Sequence, residues 1–254
     1  MNINVADFSI IVSDIDYTLV DFGKGHRAAI EALAQLAGRQ FADEINRMFY
    51  LVLEGLRRGD AFAWNERSAF QEVMGQIQQL QAPMLNMYGL KPWSRESWMI
   101  LAAKKLDLVL TLEQVEAGRD LYWNTLSENI DLYEDVRGFL DALQQAGIPL
   151  ILMTSSDSIC RVTENGSVLY DPTYSEQYKQ RRLKHLPLSY HELVIGDPID
   201  KPDPRFFDKV FQKVAQYGNF SAEKILVIGD SEKSDLQDPG QRGYATLLVT
   251  RELA

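Results

Sequence analysis

This sequence predicts an α/β fold: a parallel sheet flanked by helices, with an all-helical domain inserted near its start. Three patterns carry that expectation. Short apolar runs rich in β-branched side chains recur at 8–13, 148–153, 193–196, 224–229 and 246–249; they are too short for helices and read as buried strands. From about 133 onward these runs alternate with helical stretches, the pattern of a sheet covered on both faces. Between about 24 and 130, apolar residues recur at three and four and no strand signal is convincing, so the insertion reads as helical.

In chain order, the strand at 8–13 runs into Asp14-Ile-Asp16-Tyr-Thr18-Leu. Helices are expected near 25–38, 42–58, 64–81, 94–106 and 111–128, with Gly59-Asp60 and 89–92 as breaks. Thr111 followed by Gln114 is an N-terminal capping pattern. Residues 134–146 are helical and stop at Gly147. The strand at 148–153 ends in Thr154-Ser155, and 160–169 alternate around Glu164-Asn165-Gly166, a hairpin signal. A basic helix at 174–186, the strand at 193–196, Lys201-Pro-Asp-Pro and a helix at 204–217 follow. The strand at 224–229 ends in Asp230-Ser231, and the strand at 246–249 closes the order.

Composition removes several function classes. The 254 residues make one large domain or two small ones. Acidic residues number 36 against 26 basic, a net charge of −10, which repels nucleic acid and anionic lipid. Cys160 is the one cysteine, so no internal disulfide exists, and the three histidines lie too far apart for a zinc pattern. No apolar run reaches the length of a membrane span, and the first residues carry neither a basic region nor a cleavage signal. The expectation is a cytoplasmic protein with no nucleic-acid or membrane partner.

Four polar elements fall just past predicted strands or in the loops that follow them: Asp14-x-Asp16-x-Thr18, Thr154-Ser155, Lys201-Pro-x-Pro, and Gly229-Asp230-Ser-x-x-x-Asp235. In open α/β sheets ligands bind at that edge. Each element alone has an ordinary use: an aspartate after a strand turns or caps the chain, and a loop lysine is solvated. Together and in this order they resemble the haloacid dehalogenase (HAD) superfamily, in its phosphatase branch. The resemblance implies a HAD-like Rossmann-type core at 1–20 and 133–254, with a cap domain at 21–132 inserted between the first and second motifs. It lies in the core; the insertion matches by position alone.

The chemistry of phosphate monoesters agrees with it. Their hydrolysis is extremely slow unaided and needs charge neutralisation, a nucleophile and a proton for the leaving alcohol. Asp14 is the candidate nucleophile, forming an aspartyl-phosphate, and Asp16 the general acid and then base. Carboxylates facing a phosphate need a divalent cation, and hard oxygen donors favour Mg²⁺. The resemblance implies that the Asp14 side chain, the Asp16 backbone carbonyl and the Asp230 side chain hold it. By the same resemblance Thr154, Ser155 and Lys201 are the candidate substrate-binding residues, with Lys201 beside the nucleophile, and Thr18 and Asp235 the supporting ones, Asp235 orienting Lys201 or holding a water on the metal. Dehalogenases and phosphonate hydrolases of the family lack an acid where Asp16 stands. The expected function is therefore a Mg²⁺-dependent phosphatase of a small phosphorylated metabolite, such as a sugar phosphate or nucleotide. A phosphomutase of the same family and a non-catalytic phosphometabolite-binding protein are the alternatives. The sequence departs from the family at Tyr17, where glycine is commonest, at Pro239-Gly-Gln-Arg-Gly, and in the hairpin around Asn165-Gly166.

All four tryptophans, Trp64, Trp93, Trp98 and Trp123, fall in the insertion, as its core or as stacking surfaces for a substrate. Arg57-Arg58, Arg67, Lys91, Arg95 and Lys104-Lys105 are expected mostly on solvated helix faces, the alternative being contact with a second anionic group. Arg181-Arg182-Lys184 are likewise expected on a solvated face. Gly23 and Gly25 are a candidate hinge where the chain enters the insertion, the alternative being ordinary loop glycines.

Overall fold

A computed structural model describes residues 4–58, 63–164 and 166–251, apart from the side chain of Trp64. The expected break at Gly59-Asp60 and the turn residue Asn165 therefore lie outside the described residues. The chain divides into two compact units: Met1–Lys24, Ile130–Ser155 and Leu183–Ala254 form one, and Gly25–Asn129 with Ser156–Arg182 the other.

The first unit is built on a five-stranded sheet of order β5-β2-β1-β6-β7, from β1 (Ile10–Ser13), β2 (Leu150–Ser155), β5 (Glu192–Gly196), β6 (Ile225–Gly229) and β7 (Ala245–Leu248). All four pairings are parallel, as the alternation of strand and helix predicts. The central strands are β-branched-rich runs with no polar alternation, because a strand covered on both faces has no solvent side. β1 and β6 are buried at every position. Val12 lies opposite Ile151 on one side and Val227 on the other. Helix α9 (Pro204–Val214) lays Phe206, Phe207, Val210 and Val214 into the same core cluster as Ile10, Val12, Ile151 and Val227. It starts cleanly because Asp203 accepts a hydrogen bond from the Arg205 N–H and Pro204 occupies the first turn. Helix α7 (Glu134–Ala146) stops at Gly147, whose φ of 64° is the left-handed cap the sequence predicts.

The second unit holds α1 (Phe22–Ala37) from Gly25 onward, α2 (Arg39–Arg58), α3 (Trp64–Leu80), α4 (Leu85–Tyr88), α5 (Arg95–Lys105) and α6 (Leu112–Asn129). It also holds the hairpin β3 (Cys160–Val162) and β4 (Val168–Tyr170) and most of α8 (Pro172–Lys184). The predicted capping pattern closes both ways: the Gln114 N–H donates to Thr111 Oγ1 at 3.2 Å and the Thr111 N–H to Gln114 Oε1 at 2.8 Å.

Several expectations are corrected. The hairpin and α8 were assigned to the sheet-bearing region, yet they group with the helices: Cys160, Val168 and Tyr170 share a core cluster with Met84. Thr154 and Ser155 were placed after their strand, but both remain in the ladder, opposite Ile195 and Gly196. Gly23 and Gly25 sit in the first turn of α1, not in a loop. Lys91, Arg95 and Arg182, expected on solvated faces, are buried. Pro239 lies within a short helix, α10 (Gln237–Gln241), entered directly from the helical turn Glu232–Leu236.

Candidate functional site

The parallel register fixes where the motif residues fall. Ser13 lies opposite Leu152 and Ile228, so Asp14 leaves β1 at the carboxyl edge of the sheet, one strand away from Asp230 at the end of β6. The Asp14 N–H still donates to the Ile228 carbonyl at 2.9 Å, which holds its backbone against β6. Beyond it the chain folds back on itself: the Tyr17 N–H donates to Val20 O and the Val20 N–H to Ile15 O. That turn places Tyr17 at a φ of 64°, in the left-handed region where glycine is at ease. The buried Tyr17 ring, 5.5 Å from that of Phe22, offsets the strain through apolar burial.

Asp14 is the hub of a buried charge cluster. Its Oδ1 lies 2.6 Å from Lys201 Nζ, and its Oδ2 accepts from Thr18 Oγ1 at 3.0 Å. Lys201 Nζ also donates to Asp235 Oδ1 at 2.7 Å, so one ammonium bridges two carboxylates. Asp235 Oδ2 in turn accepts the Ser231 N–H at 3.0 Å. This contact needs Gly229, since a Cβ there would lie 2.6 Å from Asp235 Oδ2. Burial pushes the Asp14 carboxyl up to about 6; Lys201 opposes the shift, while Asp235 and Asp16 reinforce it. The two carboxylates hold the Lys201 ammonium protonated against its burial.

Carboxylate oxygens of Asp14, Asp230 and Asp235 lie within 4.8 Å of one another. Lys201 contacts two of these aspartates, Asp14 and Asp235, and Asp16 adds its field to Asp14. Hard oxygen donors with an excess of negative charge suit a divalent cation such as Mg²⁺. Asp14 and Asp230 are two of the ligands expected from sequence. Asp235, expected as a support, is both the partner of Lys201 and a member of the acidic group. Asp16 is half-buried, its backbone bridging to Val20.

Thr154 and Ser155 stand at the same edge of the sheet, at the end of β2. Thr154 is buried and its Oγ1 donates to the Ser155 carbonyl at 3.4 Å; among the described residues, no hydrogen bond joins either one to the Asp14 cluster. The reading overlooked Asp200, whose Oδ1 accepts the Lys201 N–H at 2.7 Å and whose side chain packs over Gly196. The available signal was an aspartate directly before Lys201-Pro, a residue type that ties down loops.

The profile of the haloacid dehalogenase-like hydrolases matches residues 8–237. The chain belongs to that family. No curated protein sequence matches it. Among solved structures it is similar to the magnesium-bound HAD-hydrolase YfnB of Bacillus subtilis, at 15% identity over 95% of this chain and 88% of that one, with a TM-score of 0.55. It is also similar to a Thermotoga maritima protein described as a β-phosphoglucomutase, at 18% identity over 97% and 87% and a TM-score of 0.56. A 2-haloacid dehalogenase of Pseudomonas syringae aligns at 15% identity over 95% and 86%, with a TM-score of 0.52. The shared property is the HAD fold, which carries more than one chemistry.

Proposed function

We propose that this HAD-family hydrolase is a Mg²⁺-dependent phosphatase of a small phosphorylated metabolite. The observation that carries the reading is the acidic group of Asp14, Asp230 and Asp235, whose carboxylate oxygens lie within 4.8 Å of one another beside Lys201. An anionic phosphoryl group would not approach such a site without further positive charge, whereas displacement of a halide needs no cation there. A divalent cation bound by the Asp14 and Asp230 side chains and the Asp16 carbonyl, with Asp235 beside it, would neutralise the phosphoryl oxygens.

Within this reading Asp14 attacks phosphorus as a carboxylate. The bond from phosphorus to the leaving alcohol oxygen breaks, and Asp16 delivers its proton to that oxygen. Asp16, now a carboxylate, takes a proton from water as the water attacks the aspartyl-phosphate. Inorganic phosphate leaves and Asp14 is regenerated. Lys201 holds Asp14 through the 2.6 Å contact and supplies positive charge at the phosphoryl group; Asp235 fixes its ammonium. Thr18 orients Asp14 from the other oxygen. Thr154 and Ser155 would meet phosphoryl oxygens in this reading. The helical unit serves as the cap of this reading, and the cytoplasm as its compartment; among the described residues no helix is long and apolar enough to cross a membrane.

The test is phosphate release from a panel of phosphorylated metabolites, with Mg²⁺ and with EDTA, for wild type and Asp14→Asn. Release that requires Mg²⁺ and falls at least 1,000-fold in the variant is expected. Equal release by the two proteins overturns the nucleophile, and a phosphorylated isomer as the main product makes the protein a mutase. Halide release from 2-haloacids without phosphate release overturns the substrate class.

A further inference from the structure

The helical unit buries a guanidinium that, among the described residues, has no carboxylate beside it. Arg95, at the start of α5, is 1% exposed. Its Nη1 donates to the Trp93 carbonyl at 2.7 Å and its Nη2 to Tyr122 Oη at 2.9 Å. Its Nε is buried without a hydrogen-bond partner, and among the described residues no carboxylate lies within ion-pair distance of the guanidinium. Trp123, whose ring centroid is 4.8 Å from Arg95 Cζ, also buries its indole N–H with no partner. On the same ring, Arg182 Cζ lies 5.9 Å from the centroid. Asp157 accepts from Arg182 Nη2 at 2.9 Å and from Lys179 Nζ at 3.3 Å, and forms no ion pair with Arg95.

The neighbouring groups add no negative charge. Arg95 can only donate, so Tyr122 Oη accepts from it and donates its own O–H to His26 Nδ1, 2.7 Å away. His26 Nε2–H then donates to Asn46 Oδ1 at 2.9 Å, and the imidazole is neutral. Glu96, the next residue along, lies on the Arg119 side, 3.7 Å from that guanidinium. Rings of Trp98, Tyr122 and Trp123 within 5 Å of Arg95 Cζ give it cation–π contact but leave its Nε–H unsatisfied. An unpaired buried charge and two buried orphan donors are costly features, and one missing component meets all three.

We propose that the helical unit carries a binding site for a small oxyanion, carboxylate or phosphate in chemistry, received by Arg95 Nε–H and the Trp123 indole N–H. Two donors offered by two flat groups suit two oxygens of one anion. The proposal does not rest on the phosphatase reading, which uses neither Arg95 nor Trp123.

The test follows the two N–H groups themselves. The ¹⁵N-labelled protein is titrated with inorganic phosphate, sulfate and malonate while the Trp123 indole and Arg95 Nε–H resonances are recorded. The expected result is that both resonances move on one saturating curve for at least one anion. Asp14→Asn leaves that curve unchanged, because the sheet-edge cluster is not involved. Trp123→Phe, which keeps a ring and removes the N–H, weakens binding at least tenfold, and Arg95→Met abolishes it. Resonances that stay fixed with all three anions up to 50-fold molar excess would overturn the site. So would shifts of the Trp123 indole that persist in Arg95→Met, which would mean a nonspecific salt effect only. Should Arg95→Met fail to fold, Trp123→Phe decides alone.

Discussion

Glu96 gives the helical unit a pH dependence that one substitution removes. Its side chain is fully buried on α5, accepting from Ser94 Oγ at 2.9 Å and from the Cys160 N–H at 3.2 Å. Burial raises its carboxyl to about 7, with Arg119 pulling the other way. In the unfolded chain the same group titrates near 4.5. Between those two values the native state keeps a proton that the unfolded state has lost, so stability falls as pH rises, by about 1.4 kcal/mol per pH unit. Across the window the loss is on the order of 3 kcal/mol. Glu96→Gln keeps the shape and removes the titration. All four tryptophans lie in the helical unit, so tryptophan fluorescence reports its unfolding in urea. With both proteins measured from pH 4.5 to 7.5, stability of the variant minus that of wild type should climb by about 3 kcal/mol. The amide changes the local hydrogen bonding, so the offset between the curves carries no weight; the slope does. Parallel curves, or a difference that declines with pH, would refute the buried-acid argument.

His26 predicts the opposite slope. Burial and the Arg95 charge hold it down at about 3 against an ordinary 6.5, so its contribution is present above 6.5 and lost as pH falls toward 3. In the same fluorescence assay, His26→Gln minus wild type should therefore rise as pH falls, by about 1.4 kcal/mol per unit. Phe206→Ala, fully buried against the sheet, should cost about 3–5 kcal/mol in urea unfolding followed by far-ultraviolet circular dichroism. Gly229→Ala should lower thermal stability and depress turnover more than ten-fold. Its methyl would displace Asp235 and so release Lys201, which assays of both quantities on one preparation would show.

The sheet and its edge were legible because they are encoded locally. A buried parallel strand must be an apolar run, and the residues just past it must be at the ligand-binding edge, so Asp14 and Asp230 could be placed from one dimension. The boundary between units was less legible. The hairpin at β3 and β4 follows a sheet strand in sequence, and only tertiary packing of Cys160, Val168 and Tyr170 on Met84 assigns it to the helices. The partnership of Lys201 with both Asp14 and Asp235 spans 187 and 34 residues; no spacing rule reaches that far, and it was the family resemblance that pointed to it.

The misread cations show a different limit. Helix periodicity separates a buried face from a solvated one only when the helix has both. At its start α5 has neither arrangement: Ser94, Arg95, Glu96, Ser97 and Trp98 are consecutive and all buried. A run of polar residues inside a domain looks like a surface segment to any rule based on pattern, because the rule assumes that polarity seeks water. Glu96 meets that burial with hydrogen bonds and a raised pKa, and Arg182 meets it with Asp157. Arg95 meets it with a carbonyl, a phenol and aromatic rings, which leaves its charge unbalanced. Sequence reasoning fails most where local rules are broken, and proteins break them chiefly where a ligand repays the cost. The same residue that defeats the pattern is thus the one on which the proposed oxyanion site turns.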